Sequence, residues 1–328
     1  MGRHFLEVYG GLDYYNYSNF SRLNLTDWKV GGDGRYDASR AAVFSANAYY
    51  GEFHESLSSQ NTVGFQASPN RYFQTHADVA GSYQPNRLGV GIGASYDRFD
   101  FTNTPRIGGG LLFNTDRDET QYQGYAKVFY NFSPGYSAFV KGLYESRQFD
   151  QFFDRTGRHR SSTGYRVDAG VDLEITHLVT GQIFVGYLEQ HFSQSVPLPL
   201  KNISGIDYGV NLDWFALPVL TVHLNGARTI SDTTLAGVSA SEDSAIKLSA
   251  DYEFRYNILV QGFFSYTHSD LIGSTRTDDY PSAGIGVKYL LNRYLSADIN
   301  YVYGDRSSNF AGVNYTDNTI SIGLTAHL

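Results

Sequence analysis

Apolar and polar residues alternate along this chain in stretches of ten or more. Between 165 and 176, Tyr165, Val167, Ala169, Val171, Leu173 and Ile175 take one parity. Arg166, Asp168, Gly170, Asp172, Glu174 and Thr176 take the other. Successive side chains of a strand point to opposite faces, so this segment has one greasy face and one charged face. A soluble half-buried strand needs that pattern for only a handful of residues. Sustained over twelve, with four charges on one side, it suits a strand crossing a lipid bilayer.

The rhythm recurs along the whole length. Ile246, Leu248, Ala250, Tyr252, Phe254 and Tyr256 oppose Lys247, Ser249, Asp251, Glu253 and Arg255. Leu295, Ala297, Ile299 and Tyr301 oppose Ser296, Asp298 and Asn300, and Tyr208, Val210, Leu212 and Trp214 oppose Asp207, Gly209, Asn211 and Asp213. Ile320, Ile322, Leu324, Ala326 and Leu328 close the chain in the same way. Two places break phase: 181–193 switches near Glu189, and Phe99 and Phe101 fall on the polar parity. Both read as bulges or as strand ends rising above the bilayer.

Turn residues cut the pattern at regular intervals. Short breaks fall at Ala38-Ser39, Pro85-Asn86, Ser133-Pro134-Gly135, His177-Leu178, Leu217-Pro218, Tyr256-Asn257 and Leu291-Asn292-Arg293. Longer polar stretches lie near 18–24, 54–69, 102–117, 150–162, 195–202, 232–242, 270–279 and 305–314. Seven short turns and eight loops join about 16 strands, an even number, as in bacterial barrels. The predicted fold is all-β: a transmembrane antiparallel up-and-down β-barrel, one domain over residues 1–328. Short turns would face the periplasm and long loops the outside.

Composition refines this picture. Mean hydropathy is −0.33, and no apolar run approaches the roughly 20 residues of a membrane helix; alternation reconciles that polarity with a membrane fold. Aromatic residues make up 16% of the chain. Tyr83, Phe132, Tyr136, Trp214, Phe215, Tyr256, Tyr289 and Tyr294 sit beside predicted turns, and Phe53, Tyr144, Tyr280 and Tyr303 at opposite strand ends. That placement predicts two interfacial girdles. There are no cysteines, which removes disulfide frameworks and thiol chemistry. A net charge of −8 gives no reason to expect a nucleic-acid partner. Met1-Gly2-Arg3-His4 leads directly into the first strand, so the export signal is expected in a longer precursor.

Few motifs suggest chemistry. Gly89-Val90-Gly91-Ile92-Gly93 resembles a dinucleotide loop only superficially, because its glycines alternate within a strand instead of opening a helix. Small inward residues at bends or under loops are the better reading. The nine histidines show no ligand spacing; His76, His223 and His327 fall on inward parities. No metal or other cofactor is expected. The acidic loop clusters Asp116-Arg117-Asp118-Glu119 and Asp278-Asp279 read as solvated, with calcium-bridged lipopolysaccharide the alternative. No nucleophile motif is present, so catalysis is not expected.

The inward charges are the candidate functional residues: Lys29, Asp33, Arg35, Lys127, Lys141, Glu145, Arg147, Arg166, Asp168, Asp172, Glu174, Asp207, Asp213, Lys247, Asp251, Glu253, Arg255, Lys288 and Asp298. So many charges need water or cross-strand partners. They line either a wet, mixed-charge channel or a salt-bridged wall. A barrel of about 16 strands is wide enough for an aqueous lumen. Tyr9, Tyr125 and Phe139 also lie on the polar parity and are candidates for stacking on sugar rings.

Several stretches together resemble a known family, the outer-membrane β-barrel porins often encoded beside bacterial exopolysaccharide export genes. They are Phe5-Leu6-Glu7-Val8-Tyr9-Gly10-Gly11-Leu12-Asp13-Tyr14, Ser133-Pro134-Gly135-Tyr136-Ser137-Ala138-Phe139-Val140, Gly164-Tyr165-Arg166-Val167-Asp168-Ala169-Gly170, Leu178-Val179-Thr180-Gly181 with Val185-Gly186-Tyr187-Leu188, Thr233-Thr234-Leu235-Ala236-Gly237, and Tyr289-Leu290-Leu291-Asn292-Arg293. The resemblance implies a bacterial outer-membrane barrel and, by association, a passive conduit for a secreted polysaccharide. Its expected neighbours are outer-membrane lipid, lipopolysaccharide and a periplasmic polysaccharide-export protein docked on the short-turn face. Leu328 departs from the aromatic final residue usual in such proteins. A general diffusion porin, with loops 54–69 or 102–117 folded inward, and a closed structural or adhesion barrel are the alternatives.

Overall fold

The computed structural model describes residues 4–16, 21–55, 61 and 66–326; His327 and Leu328 lie outside them. Sixteen strands follow one another around a single antiparallel sheet. They are β1 (His4–Tyr15), β2 (Leu25–Asp37), β3 (Ala42–His54), β4 (Arg71–Tyr83), β5 (Leu88–Phe101), β6 (Glu119–Ser133), β7 (Tyr136–Phe149) and β8 (Ser162–Ile175), followed by β9 (Val179–Phe192), β10 (Ile203–Leu217), β11 (Leu220–Ser231), β12 (Ser241–Arg255), β13 (Ile258–Leu271), β14 (Thr277–Asn292), β15 (Leu295–Ser308) and β16 (Tyr315–Ala326). Each pairs with its sequence neighbours. Among the described residues no ladder joins β1 to β16. A two-residue hairpin, 104–105 with 111–112, lies apart in the 102–118 loop.

The strands connect where turn chemistry predicts. Seven short turns lie at one end and eight longer loops at the other. At the β8–β9 turn the Leu178 N–H donates to the Ile175 carbonyl at 2.8 Å. Thr176 and His177 between them have φ of 50° and 58°, the left-handed pair of a type I′ hairpin turn. Register shifts near Asn131, Phe215, Glu253 and Leu290 place the irregularities beside the short turns, where a strand can bend without disturbing the span.

Alternation sorts residues by face. Ile92, Val128, Val140, Val167, Val185, Leu248, Ile285 and Ile299 are exposed on the outside. Along β6, outward Tyr122 and Tyr130 bracket Ala126 and Val128, eight residues or roughly 26 Å apart. Tyr96 opposes Tyr122, and Tyr144 and Tyr165 oppose each other at the level of Gly124, so tyrosines edge the apolar band toward the loops as Tyr130 does toward the short turns. Above it the outward residues turn polar: Arg98, Thr120 and Gln148. Phe53 and Tyr280 do not belong to a girdle. Phe53 shares the inward parity of Tyr49, and Tyr280 lies over Gly304. Their position near a strand end suggested a girdle, but parity decides the face.

Inside, aromatic rings lie flat on glycines of the adjacent strand. Tyr125 covers Gly93, Phe129 covers Gly89, Phe139 covers Gly170 and Phe263 covers Gly284, each pair directly opposed in register. A Cβ at any of these glycines would overlap the ring. Gly89 and Gly93 therefore lie under rings, and Gly91 between them lies opposite Lys127. Lysines complete the stack: Lys127 Nζ lies 4.0 Å from the Phe139 centroid, Lys141 5.0 Å from Tyr125, Lys247 4.7 Å from Phe263 and Lys29 5.5 Å from Tyr9. Each ring thus has backbone on one face and an ammonium near the other, a favourable cation–π geometry.

Two substitutions test this division of faces. Gly93→Val should destabilise the barrel by about 1–3 kcal/mol through overpacking against Tyr125. Ala126→Arg, at mid-band on the lipid face, should cost about 2–4 kcal/mol. Denaturant midpoints in lipid vesicles would measure both, with exposed Arg40→Ala as the near-neutral control.

Candidate functional site

The ladders put the charged set on the lumen face. Some of its members are paired. Lys127 Nζ meets Asp172 at 2.9 Å, His223 meets Asp213 at 2.6 Å and Asp251 at 3.3 Å, and Arg166 lies 3.9 Å from Asp207. Asn300 donates to Asp298 at 2.7 Å. Asp33 accepts from Asn47, while Arg35 reaches Asp37 at 2.9 Å near the short-turn end. Asp168 and Asp207 flank Gly186 in one register row, each with a buried carboxylate oxygen that has no hydrogen-bond partner. Glu174 pairs with His177 at the turn. Lys247, Glu253 and Lys288 share the lumen parity of their strands, while the register shift after Glu253 sets Arg255 opposite Ile258 at the short turn. Phe139 is only 5% exposed with Lys127 above it, so a sugar would have to displace the ammonium to reach that ring. Tyr9 and Tyr125 are half-buried, and Tyr9 receives the Asn47 amide at 3.4 Å.

The largest feature that local sequence did not disclose is a cap. Loops at the long-loop end fold together over the lumen mouth. The 55–70 loop meets the 102–118 loop where Arg117 grips Glu55 with both guanidinium nitrogens. Asn70 donates to Glu55 at 2.6 Å, and Thr104 and Asn114 close a buried amide network around Asn70. The 150–161 loop attaches through Arg155 to Asp116 at 2.6 Å. The 232–240 loop is the hub. Its Leu235 and Val238 carbonyls accept from Arg160 at 3.4 and 3.3 Å. Its Asp232 carboxylate pairs with Arg147 at 2.9 Å. Ser239 bonds the Lys201 N–H at 2.7 Å and the Ile272 carbonyl at 2.7 Å. Thr234 N–H donates to Asn61 at 2.8 Å. Asn61 follows β3 and Thr234 follows β11, eight strands further round. The sheet must therefore curl enough for these loops to meet above the lumen.

A small apolar core holds the hub down: Leu188, Phe192, Leu200, Ile203, Ile230 and Ala240, with Ile272 against them. This explains the phase switch in 181–193. The strand has no bulge there. Above the girdle, inward Leu188 and Phe192 turn apolar because they pack under the cap, and outward Glu189 turns polar. The same cause brings Phe99 and Phe101 inward. The Arg117 guanidinium lies 3.9 Å from the Phe101 ring, and Tyr72 lies 5.9 and 5.2 Å from Phe99 and Phe101.

Electrostatics in the cap run in two directions. Glu119 lines a cavity of about 40 Å³ with Arg117, Arg160, Asp154 and Asp232, room for a water or two. It lies above the apolar band and is 6% exposed. Burial, then the Asp232 carboxylate, push its pKa well above the ordinary range despite Arg147, and its Oε2 has no partner. Glu55 is also desolvated, but bonds from Arg117 and Asn70 outweigh burial and hold it low. Asp116 and Asp154 are likewise held low, against burial, by Arg155 and by Thr156, Arg158 and Arg160.

These features identify a transmembrane barrel of the porin class, with a charged lumen and a capped mouth. The chain belongs to the family described as Putative beta-barrel porin 2, which matches residues 2–328. Solved outer-membrane barrels share its fold. The FrpB iron transporter from Neisseria meningitidis is 8% identical, with a TM-score of 0.50 over 94% of this chain and 59% of its own. The copper transporter OprC is 7% identical, with a TM-score of 0.50 over 99% of this chain and 60% of its own. This chain thus spans about three-fifths of those structures, and the likeness concerns fold alone. No curated protein matches the sequence.

The two carboxylate behaviours predict opposite pH effects. Glu119, with a raised pKa, supports the cap fully when protonated and loses that contribution as pH rises through its folded value. Glu55, Asp116 and Asp154 contribute above the ordinary carboxylate range and lose it as pH falls. Glu119→Gln should therefore tighten the cap at pH 7–8, read as slower proteolysis of the 232–240 loop, and make little difference near pH 4. Equal effects at both pH values would contradict this assignment.

Proposed function

We propose that this protein is a gated conduit in the bacterial outer membrane through which a secreted polysaccharide passes. The observation that carries the gating is the bond between loops eight strands apart, Thr234 to Asn61, together with the Arg147–Asp232 latch. A polymer leaving by this mouth must part those contacts. Below the cap, charged and amide side chains offer hydrogen bonds to a hydrated chain, so passage needs no energy source within the barrel itself. The polysaccharide as cargo follows from the family resemblance. A periplasmic export protein would dock on the short-turn rim. A groove of about 450 Å³ opens there between Arg87, the 133–137 turn and residues 172–174, and supports such a contact.

Transport, not catalysis, suits an arrangement whose charges are spread around a wall instead of converging on one reacting point. The inward-folded loops equally suit a general diffusion porin, which would speed uptake of unrelated small solutes; a conduit need not.

Removing the latch tests the gate. Arg147→Ala leaves Glu119, Glu145 and Asp232 together without their cation, a loss of about 3–5 kcal/mol for a buried pair broken on one side. Planar-bilayer recordings should show rare or small openings for the wild type and frequent, larger ones for Arg147→Ala. Deleting the barrel from a producing strain should stop polymer release. Silence from a folded Arg147→Ala barrel, or undiminished release from the deletion strain, would overturn the reading.

A further inference from the structure

One lumen wall differs from the rest. On β3–β5, inward Tyr49, Phe53, Tyr72, Phe99 and Phe101 form a continuous row of rings. Neighbouring centroids lie 6.3 Å apart from Tyr49 to Phe53, 5.9 Å from Phe53 to Tyr72, and 5.9 and 5.2 Å from Tyr72 to Phe99 and Phe101. All five are half-buried, with Tyr49 stacked on one side by His76 and Phe101 by Arg117. Tyr49 sits mid-strand and Phe101 beneath Arg117 of the cap, so the row climbs from the middle of the barrel to the gate. Four residues of β3 separate Tyr49 from Phe53, a rise of roughly 13 Å.

Polar groups flank the rings at the same levels. Asp97 accepts from Gln74 at 3.0 Å and pairs with His76 at 2.7 Å. His76 stacks on Tyr49 with centroids 4.8 Å apart and reaches Asp78 at 3.1 Å. The adjoining wall, β6–β8, instead carries Lys127, Lys141 and Arg166 among its carboxylates Glu145, Asp168 and Asp172.

We propose that this wall is a binding track for a neutral oligosaccharide chain, a reading that rests on the conduit function and names its cargo class. A pyranose presents a C–H face that lies on an aromatic ring and a rim of hydroxyls that bond carboxylates and amides. The track supplies both: His76, Asp97 and Gln74 beside Tyr49 and Phe99, with Phe53, Tyr72 and Phe101 above them. Asp78 and Asp97 sit beside it, so a polymer of uronic acids meets like charge and a neutral chain does not. Several rings in series hold a chain at successive positions, which lets it advance by small steps toward the cap without leaving the wall.

Calorimetric titration of the detergent-solubilised barrel tests the track with maltohexaose, cellohexaose and hexagalacturonate as probes. Tyr49→Leu and Phe99→Leu remove the flat face while keeping apolar bulk, and circular dichroism checks that both fold. The expected result is binding of at least one neutral hexasaccharide, roughly three- to ten-fold weaker in each variant, as the loss of one ring contact implies, with hexagalacturonate weaker still. No binding of either neutral probe, unchanged binding in the folded variants, or tighter binding of hexagalacturonate would overturn it. The conduit reading fails separately. Currents through Arg147→Ala without saccharide binding would remove the track and leave the conduit. Binding without currents would do the reverse.

Discussion

Every spanning strand of this protein meets two solvents at once, lipid on one face and water on the other. In lipid no backbone amide can go unpaired, so the strands must bond to one another along their whole crossing. Period-two alternation is then the only pattern that keeps apolar side chains out and charged ones in. The even strand number, the short turns on one rim and the tyrosine levels at the edges of the band are consequences. So is the charge on the inner wall, because sixteen strands enclose too much space for side chains alone to fill.

The constraint ends where the band ends. Above Tyr122 and its neighbours the chain is in water on both sides, and inward positions turn apolar where something covers them. Leu188 and Phe192 do so beneath the 232–240 loop. Phe99 and Phe101 do so beneath Arg117. The barrel therefore carries two cores of different kinds: a belt whose solvent is lipid, and a small globular knot at the mouth whose solvent is water. Arginine joins the loops of the knot, since its planar fork can hold a carboxylate and backbone carbonyls together, as Arg147 does with Asp232 and the Ile230 carbonyl at 3.0 Å.

Much of the frame was legible in the sequence because it is local. Turn residues such as Ser133-Pro134-Gly135 and the parity of 165–176 each need only a few neighbours to be read. Loops 54–69 and 102–117 were legible as able to fold inward, but their partners in the cap were not, because Asn61 and Thr234 lie more than 170 residues apart and nothing in either loop names the other. The inward ring row was half visible. Phe99 and Phe101 stood out on the wrong parity, but Phe53 was drawn into a girdle by its place near a strand end, and Tyr72 gave no signal. Parity, followed strictly up each strand, would have gathered all of them.

The rings on glycines bear on how sixteen similar strands find the right partners. A slip of one residue would turn charges into lipid and is rejected at once. A slip of two keeps apolar side chains outward, so the membrane cannot detect it. The inner wall can. Two residues out of step, the Phe139 ring would leave Gly170 and press on Asp168 or Asp172. Tyr9, opposite Gly31, would meet Lys29 or Asp33. Each such pair acts as a vernier mark, readable only at one setting, and the marks lie on the wall from Tyr9 on Gly31 to Phe139 on Gly170. Alignment of the barrel is thus written on its wet face, while insertion is written on its greasy one.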